Sequence, residues 1–160
     1  MQDRNLFISE IIKKLKQTKN ENEVLIKIHP THENLFEYKN IVDLVDPKIP
    51  IFQKENLNEL IEQSDLIITS VSSTVAISAL IMRKPIIIWN IFDVQNDILL
   101  ENNLALECKN PNELPDLIDN AKKWNLPERK IEEFLSKYFF KTDGKASERI
   151  ADEILHIVKK

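Results

Sequence analysis

Five hydroxyl side chains crowd six positions in this chain, Thr69-Ser70-Val71-Ser72-Ser73-Thr74. The segment follows an apolar run, Leu66-Ile67-Ile68, and leads into a stretch from Ser72 to Met82 that is apolar on nearly every turn. That pattern reads as the end of a strand entering a helix. The first turn of a helix presents backbone N–H groups without intrahelical partners and a partial positive charge. The hydroxyls of Ser70, Ser72, Ser73 and Thr74 add donors, so the turn suits a phosphate or pyrophosphate without glycine. Ordinary capping also selects serine and threonine, but this density of hydroxyls at a strand end favours a ligand.

A second patch is Lys27-Ile28-His29-Pro30, at the end of another β-rich run, Val24 to Ile28. An imidazole beside a phosphate can donate a hydrogen bond, or a proton to a leaving group. His29 is therefore the candidate catalytic residue. Lys27 stands two positions earlier and shares its strand face. His32 is a second candidate on the following turn, and His156 reads as packing in the last helix. The three histidines and Cys108 lack the spacing of metal ligands, so no metal and no cofactor are expected.

Composition narrows the classes. The chain has 160 residues, 42% hydrophobic and 30% charged, enough for one soluble domain with a core. Its net charge of −4 argues against a nucleic-acid protein. Apolar runs are short and broken by charge, so no transmembrane segment is expected. The first twenty residues carry no signal-peptide pattern, because Lys13, Lys14 and Lys16 interrupt them. A single cysteine precludes an internal disulfide and fits a reducing, cytoplasmic setting. The one glycine, Gly144, excludes both the P-loop and the glycine-rich dinucleotide fingerprint.

The elements that must position these residues follow from periodicity. Helix is expected over 5–18, where Leu6, Phe7, Ile8, Ile11, Ile12 and Leu15 share a face. Asn20 to Asn22 reads as a turn, and Thr31 as the cap of a short helix through Leu35 and Tyr38. Strands are expected at 24–28, 50–52, 66–69, 85–89 and 104–106. Helices are expected at 56–64, capped by Asn56, then at 72–82, 112–123, 128–138 and 145–158. Asn110-Pro111-Asn112-Glu113 is a strong helix start. Strands alternating with helices imply a Rossmann-like, doubly wound α/β domain. We expect a parallel sheet of about five strands with helices on both faces and extra helices at the C-terminus. Ligands of such sheets bind outside the carboxyl ends of the strands, where both patches lie. The first helix has no strand before it, as though the sheet began one strand late.

Lys27-Ile28-His29-Pro30, Ser64 to Thr74, Ala79-Leu80 and Lys84-Pro85-Ile86-Ile87, in that order, resemble the C-terminal domain of GT-B glycosyltransferases. The similarity is to bacterial capsule and surface-polysaccharide enzymes, namely sialyl- and polysialyltransferase-like proteins and CDP-glycerol glycerophosphotransferases. Asp143-Gly144-Lys145-Ala146-Ser147-Glu148-Arg149-Ile150 resembles the start of their last helix. The resemblance implies a donor-nucleotide-binding domain, residues 1–160, forming the C-terminal half of a two-domain enzyme. It implies that His29 contacts the donor phosphate and assists the leaving group, and that Ser72, Ser73 and Thr74 hold phosphate. Lys27, Pro30 and Ser70 complete the proposed phosphate patch. The acceptor-binding N-terminal domain or subunit would be a separate partner, and peripheral membrane association is an option for the full-length protein. Two positions depart from the family pattern. Ser78 stands where many relatives carry a ribose-binding glutamate, and Arg83 where they carry glycine. The alternatives are a UDP-N-acetylglucosamine 2-epimerase-like isomerase domain, whose Ser-Gly-Gly turn is missing here, and a non-catalytic interaction domain.

Overall fold

The computed structural model describes residues 2–18, 22–121, 123–139 and 141–159, with side chains from residue 8 onward. The chain forms two compact units, 1–125 and 126–160. In the first, the order is α1 (Gln2–Leu15), β1 (Ile26–Lys27), α2 (Leu35–Asp43), β2 (Ile51–Phe52), α3 (Leu57–Gln63) and β3 (Ile67–Ser70). Then come α4 (Thr74–Ile81), β4 (Ile86–Trp89), α5 (Ile98–Glu101), β5 (Leu106–Cys108), a 3-10 turn at Pro111–Glu113, and α6 (Leu114–Ala121).

β4 is the centre. Ile86, Ile87, Ile88 and Trp89 are all buried, and alternation sends two of them to each face. β3 and β5 flank it in parallel, with Ile68 opposite Ile87 and Trp89 opposite Cys108. On one face Ile87 and Trp89 join Cys108, Leu114, Ile118 and Ala121, so α6 packs there, with Ile11 and Leu15 of α1 beside it. α4 packs against β3 and β4, and its Ala76, Ala79 and Leu80 are buried.

The five strands of the described residues form two sheets, not one. β1 pairs with β2 in parallel, and β3-β4-β5 is separate. No described strand joins β1 to β3, which corrects the expectation of a single sheet. The parallel α/β class itself holds.

Local differences have local causes. The first ladder is shorter than Val24–Ile28, because its partner β2 spans only Ile51–Phe52. Asn34, not Thr31, caps α2: its side chain accepts from Phe36 N–H at 3.0 Å. Asn56 caps α3 as expected. α1 ends at Leu15. The last strand lies two residues later than expected, at Leu106–Cys108. The turn at Asn20–Asn22 lies outside the described residues except for Asn22.

The second unit holds α7 (Glu128–Phe139) and α8 (Ala146–Val158). Ile131, Phe134 and Leu135 of α7 are buried, and the Phe134 ring tilts against Tyr138 at 4.7 Å between centroids. Gly144 has φ +73 before α8, a conformation that glycine adopts without strain. Beside it the Asp143 carboxylate accepts from Arg149 Nη1 at 2.9 and 3.0 Å and from Lys145 N–H at 3.1 Å. The Arg149 hydrogen bond, first of several causes, holds the Asp143 carboxyl below its usual range.

Cys108 ends β5 fully buried, with its thiol on the Asn110 carbonyl at 3.3 Å. Burial first, and the Glu113 carboxylate second, push that thiol from its ordinary 9.0 up to about 11. Below pH 9.0 the folded and unfolded chains both keep the proton; between 9.0 and about 11 only the folded chain keeps it. Stability contributed by the neutral thiol is therefore lost as pH rises through that window. Iodoacetamide at pH 8 should label Cys108 in urea and leave the native chain unlabelled, and Cys108→Ala should show a shallower alkaline loss of stability. Rapid native labelling would contradict the buried placement.

Candidate functional site

The candidate residues fall at the carboxyl ends of the parallel strands, in three groups. The first follows β1. Ile28 is buried and anchors the segment, while His29 and Pro30 are exposed. His29 Nδ1 accepts from the backbone N–H groups of Thr31 at 3.2 Å and His32 at 3.3 Å. Those bonds occupy the Nδ1 lone pair and place the proton of the neutral ring on Nε2. His29 is thus set to donate a hydrogen bond through Nε2. The His32 ring stacks on it at 4.6 Å. Lys27 does not reach outward: its Nζ donates to the carbonyls of Ile28 at 2.8 Å and Gln53 at 3.0 Å. It ties the ends of β1 and β2 together. Gln53 Nε2 donates to Glu33 O at 2.8 Å and holds the loop after His29. An open cavity of about 740 Å³ lies here, lined by Thr31, His32, Asn34, Phe36, Lys39 and Gln53 among others.

The second group is the hydroxyl-rich turn after β3. Ser70, Ser72 and Thr74 are exposed, and Ser73 is half-buried. Ser72 has φ +59, the left-handed region that a residue with a Cβ rarely adopts. Ser73 caps α4, its Oγ accepting from Val75 N–H at 3.3 Å. Ser78 lies on α4 one turn beyond Thr74, half-buried.

What holds Ser72 in that conformation is Asp97. This carboxylate is 5% exposed. Its Oδ2 accepts from Ser72 N–H at 2.8 Å, and its Oδ1 accepts from Leu99 N–H at 3.0 Å and Leu100 N–H at 3.2 Å. One side chain therefore caps α5 and pins the serine turn. An anion of the protein's own already occupies Ser72 N–H. Ser73 N–H, Thr74 N–H and the hydroxyls are further donors at this turn.

The third group follows β4. Asn90, 2% exposed, donates from Nδ2 to Val94 O at 3.0 Å and Glu107 Oε1 at 2.6 Å, and its Oδ1 accepts from Val94 N–H at 2.8 Å. It closes a loop that presents Phe92, 72% exposed, at the strand's carboxyl end. Lys109 pairs with Asp93 on the same loop, which raises the lysine and lowers the aspartate.

Sequence reading missed Asn90 and Asp97. Each left a signal: Asn90 is the polar residue that follows Pro85–Trp89 directly, and Asp97 precedes Ile98-Leu99-Leu100 as a cap. Arg83 follows the C-terminal end of α4. Its Nη1 donates to Ile81 O at 3.1 Å, at the end of α4 away from the serines. His29 and the serine turn take their hydrogen bonds from different partners, and none joins the two. Among the described residues no group of histidine, cysteine and carboxylate side chains is placed to hold a metal ion. No helix of the described residues is long and apolar enough to cross a membrane.

A parallel α/β unit with polar loops at its strand ends defines the class. Residues 6–156 match the family described as CDP-glycerol:poly(glycerophosphate) glycerophosphotransferase, and the chain belongs to that family of transferases. No curated protein and no solved structure matches it.

Asp97→Ala removes the acceptor of three N–H groups and should cost about 2 to 4 kcal/mol in urea unfolding. Asp97→Asn retains one oxygen, so it should cost less but still leave either Ser72 or α5 facing an amide donor. Wild-type stability in both variants would show that the carboxylate does not hold the turn.

Proposed function

We propose that this chain is the donor-nucleotide-binding domain of a glycosyltransferase-like enzyme of surface-polysaccharide biosynthesis, of GT-B type. The donor class that the family name supports is a cytidine diphosphate ester of glycerol. Transfer of glycerophosphate from such a donor breaks the pyrophosphate P–O bond. The acceptor hydroxyl forms the new P–O bond and loses its proton, and cytidine monophosphate leaves. The observation that carries the reading is the pair of exposed donor groups at strand ends, His29 and Ser70 to Thr74, in a chain of this family.

In this reading His29 donates from Nε2 to a non-bridging phosphate oxygen and stabilises the leaving nucleotide. Because Nδ1 is committed to backbone N–H groups, a hydrogen bond suits His29 better than full proton transfer. Thr74 N–H and the hydroxyls of Ser70, Ser72 and Thr74 take further phosphate oxygens. Lys27 and Pro30 act through position, shaping the strand end that presents His29. Ser78 takes the place of a ribose-binding group, and a serine there reaches less far than a glutamate. The acceptor and its general base belong to a partner domain or subunit.

A second reading is a non-catalytic interaction domain. The Asp97 carboxylate at Ser72 N–H favours it, because it sets a negative charge where the phosphate would sit.

Calorimetric titration with CDP-glycerol, CMP, CDP and UDP separates the two. The donor domain should bind a cytidine nucleotide saturably, and His29→Ala and Thr74→Val should each weaken binding about 10-fold or more, as for loss of one hydrogen bond to a charged group. Both variants leave the Ser73 cap in place. Failure of every nucleotide to bind would leave the interaction domain as the better reading.

A further inference from the structure

The cavity beside His29 has no part in the phosphate contacts assigned above. Its volume, about 740 Å³, falls within the range of small-molecule sites, about 300 to 1,000 Å³. His32, Glu33, Phe36 and Lys39 are among the residues that line it. The His32 ring also stacks on His29, with centroids 4.6 Å apart, so one imidazole links the catalytic candidate to the cavity wall.

Phe36 is 70% exposed in the first turn of α2. The core face of that helix is marked by the buried Tyr38 and Val42. Two residues turn a helix by about 200°, so Phe36 stands on the side away from the core, where its ring does no packing work. Its backbone is nevertheless fixed, because its N–H donates to the Asn34 cap at 3.0 Å. Lys39 follows Phe36 by three residues and shares its side of the helix. The Lys39 ammonium has no hydrogen-bond or ion-pair partner among the described residues. Glu33 brings a carboxylate to the same lining. A cation and a carboxylate together suit an uncharged polar ring better than a phosphate, which the carboxylate repels. An exposed aromatic ring offers such a heterocycle a face to stack on.

We propose that this cavity is the nucleobase subsite of the donor, with the base stacked on Phe36 and an acceptor atom on its edge bonded to the Lys39 ammonium. The assignment rests on the donor-domain reading and adds to it the side on which the nucleoside lies. In that reading His29 serves the phosphate that leaves with the nucleoside. Ribose and base then extend on the His29 side, and the transferred glycerophosphate lies toward the serine turn. One imidazole separates His29 from the cavity, as one ribose separates the phosphate from the base. The short Ser78 fits this arrangement, because a nucleoside held by Phe36 and Lys39 does not depend on a long carboxylate side chain from α4. Stacking accepts any base, since every base has a π face. Lys39 adds a donor, which the O2 and N3 acceptors of cytosine can meet.

The test titrates the 160-residue chain with CMP and with ribose 5-phosphate, which has the sugar and phosphate but no base. Phe36→Ala should weaken CMP about 5- to 100-fold, the effect of losing one stacked base, and leave ribose 5-phosphate unchanged. Phe36→Trp should keep CMP binding, and its added indole fluorescence should be quenched by CMP and not by ribose 5-phosphate. Lys39→Met keeps the stem without the ammonium and should weaken CMP about 5-fold or more, again without effect on ribose 5-phosphate. The ring and the ammonium are both exposed, so all three variants should unfold in urea with the wild type. CMP bound equally by wild type and Phe36→Ala would overturn this assignment and leave the donor domain standing. So would loss of CMP in Phe92→Ala alone, which would move the base to the loop after β4. Equal weakening of both ligands by Lys39→Met would make the cavity a phosphate site and overturn it too. A wild-type chain that binds no nucleotide would overturn the donor-domain reading itself, and this assignment with it.

Discussion

The structure depends on one requirement: β4 is out of water on both faces, so every peptide group in it must find its partner sideways. A buried N–H or C=O without a partner costs about 1 to 3 kcal/mol, and four consecutive buried residues leave no room for that. β3 and β5 are the answer, one on each edge, in parallel register. Parallel neighbours in turn demand crossovers, and those crossovers supply the helices that cover the two faces. The strand that carries no chemistry thereby dictates where the chemistry can be. It brings the carboxyl ends of β3, β4 and β5 to one rim, and every polar loop of interest in that sheet leaves from there.

At that rim, buried polar side chains do what the backbone alone cannot. Asn90 and Asp97 are the buried polar residues of the described chain, and each bonds to more than one partner. Asn90 folds the loop after β4 back on itself. Asp97 holds Ser72 in a left-handed conformation that costs a residue with a Cβ about 1 kcal/mol or more. The strain is local and the compensation comes from 25 residues further along the chain. The turn is thus held by the protein's own carboxylate, which takes Ser72 N–H for itself.

The His29 side works differently. No strained residue is needed there. Lys27 and Gln53 spend their donors on backbone carbonyls and hold the loop, so the imidazole is oriented by its own neighbours Thr31 and His32. Lysine and histidine share a strand face, as alternation requires, yet only the histidine remains available. Proximity in sequence identified both; the carbonyls at the ends of β1 and β2 decided between them.

By itself the sequence determined the class of fold, the alternation of elements and the positions of both candidate patches. Those properties are local: periodicity selects strand or helix, Asn56 and Asn110 cap the turns that follow them, and an apolar run such as Pro85 to Trp89 suits the middle of a parallel sheet. It did not determine helix starts that hinge on competition between caps, as at Thr31 and Asn34, where two polar residues three apart can each serve. Tertiary structure alone decided which strands pair, that five strands form two sheets with α1 across both, and that Asp97 rather than solvent meets Ser72. Each of these joins residues distant along the chain, and a peptide edge or a carboxylate carries no mark in sequence of the partner that will satisfy it.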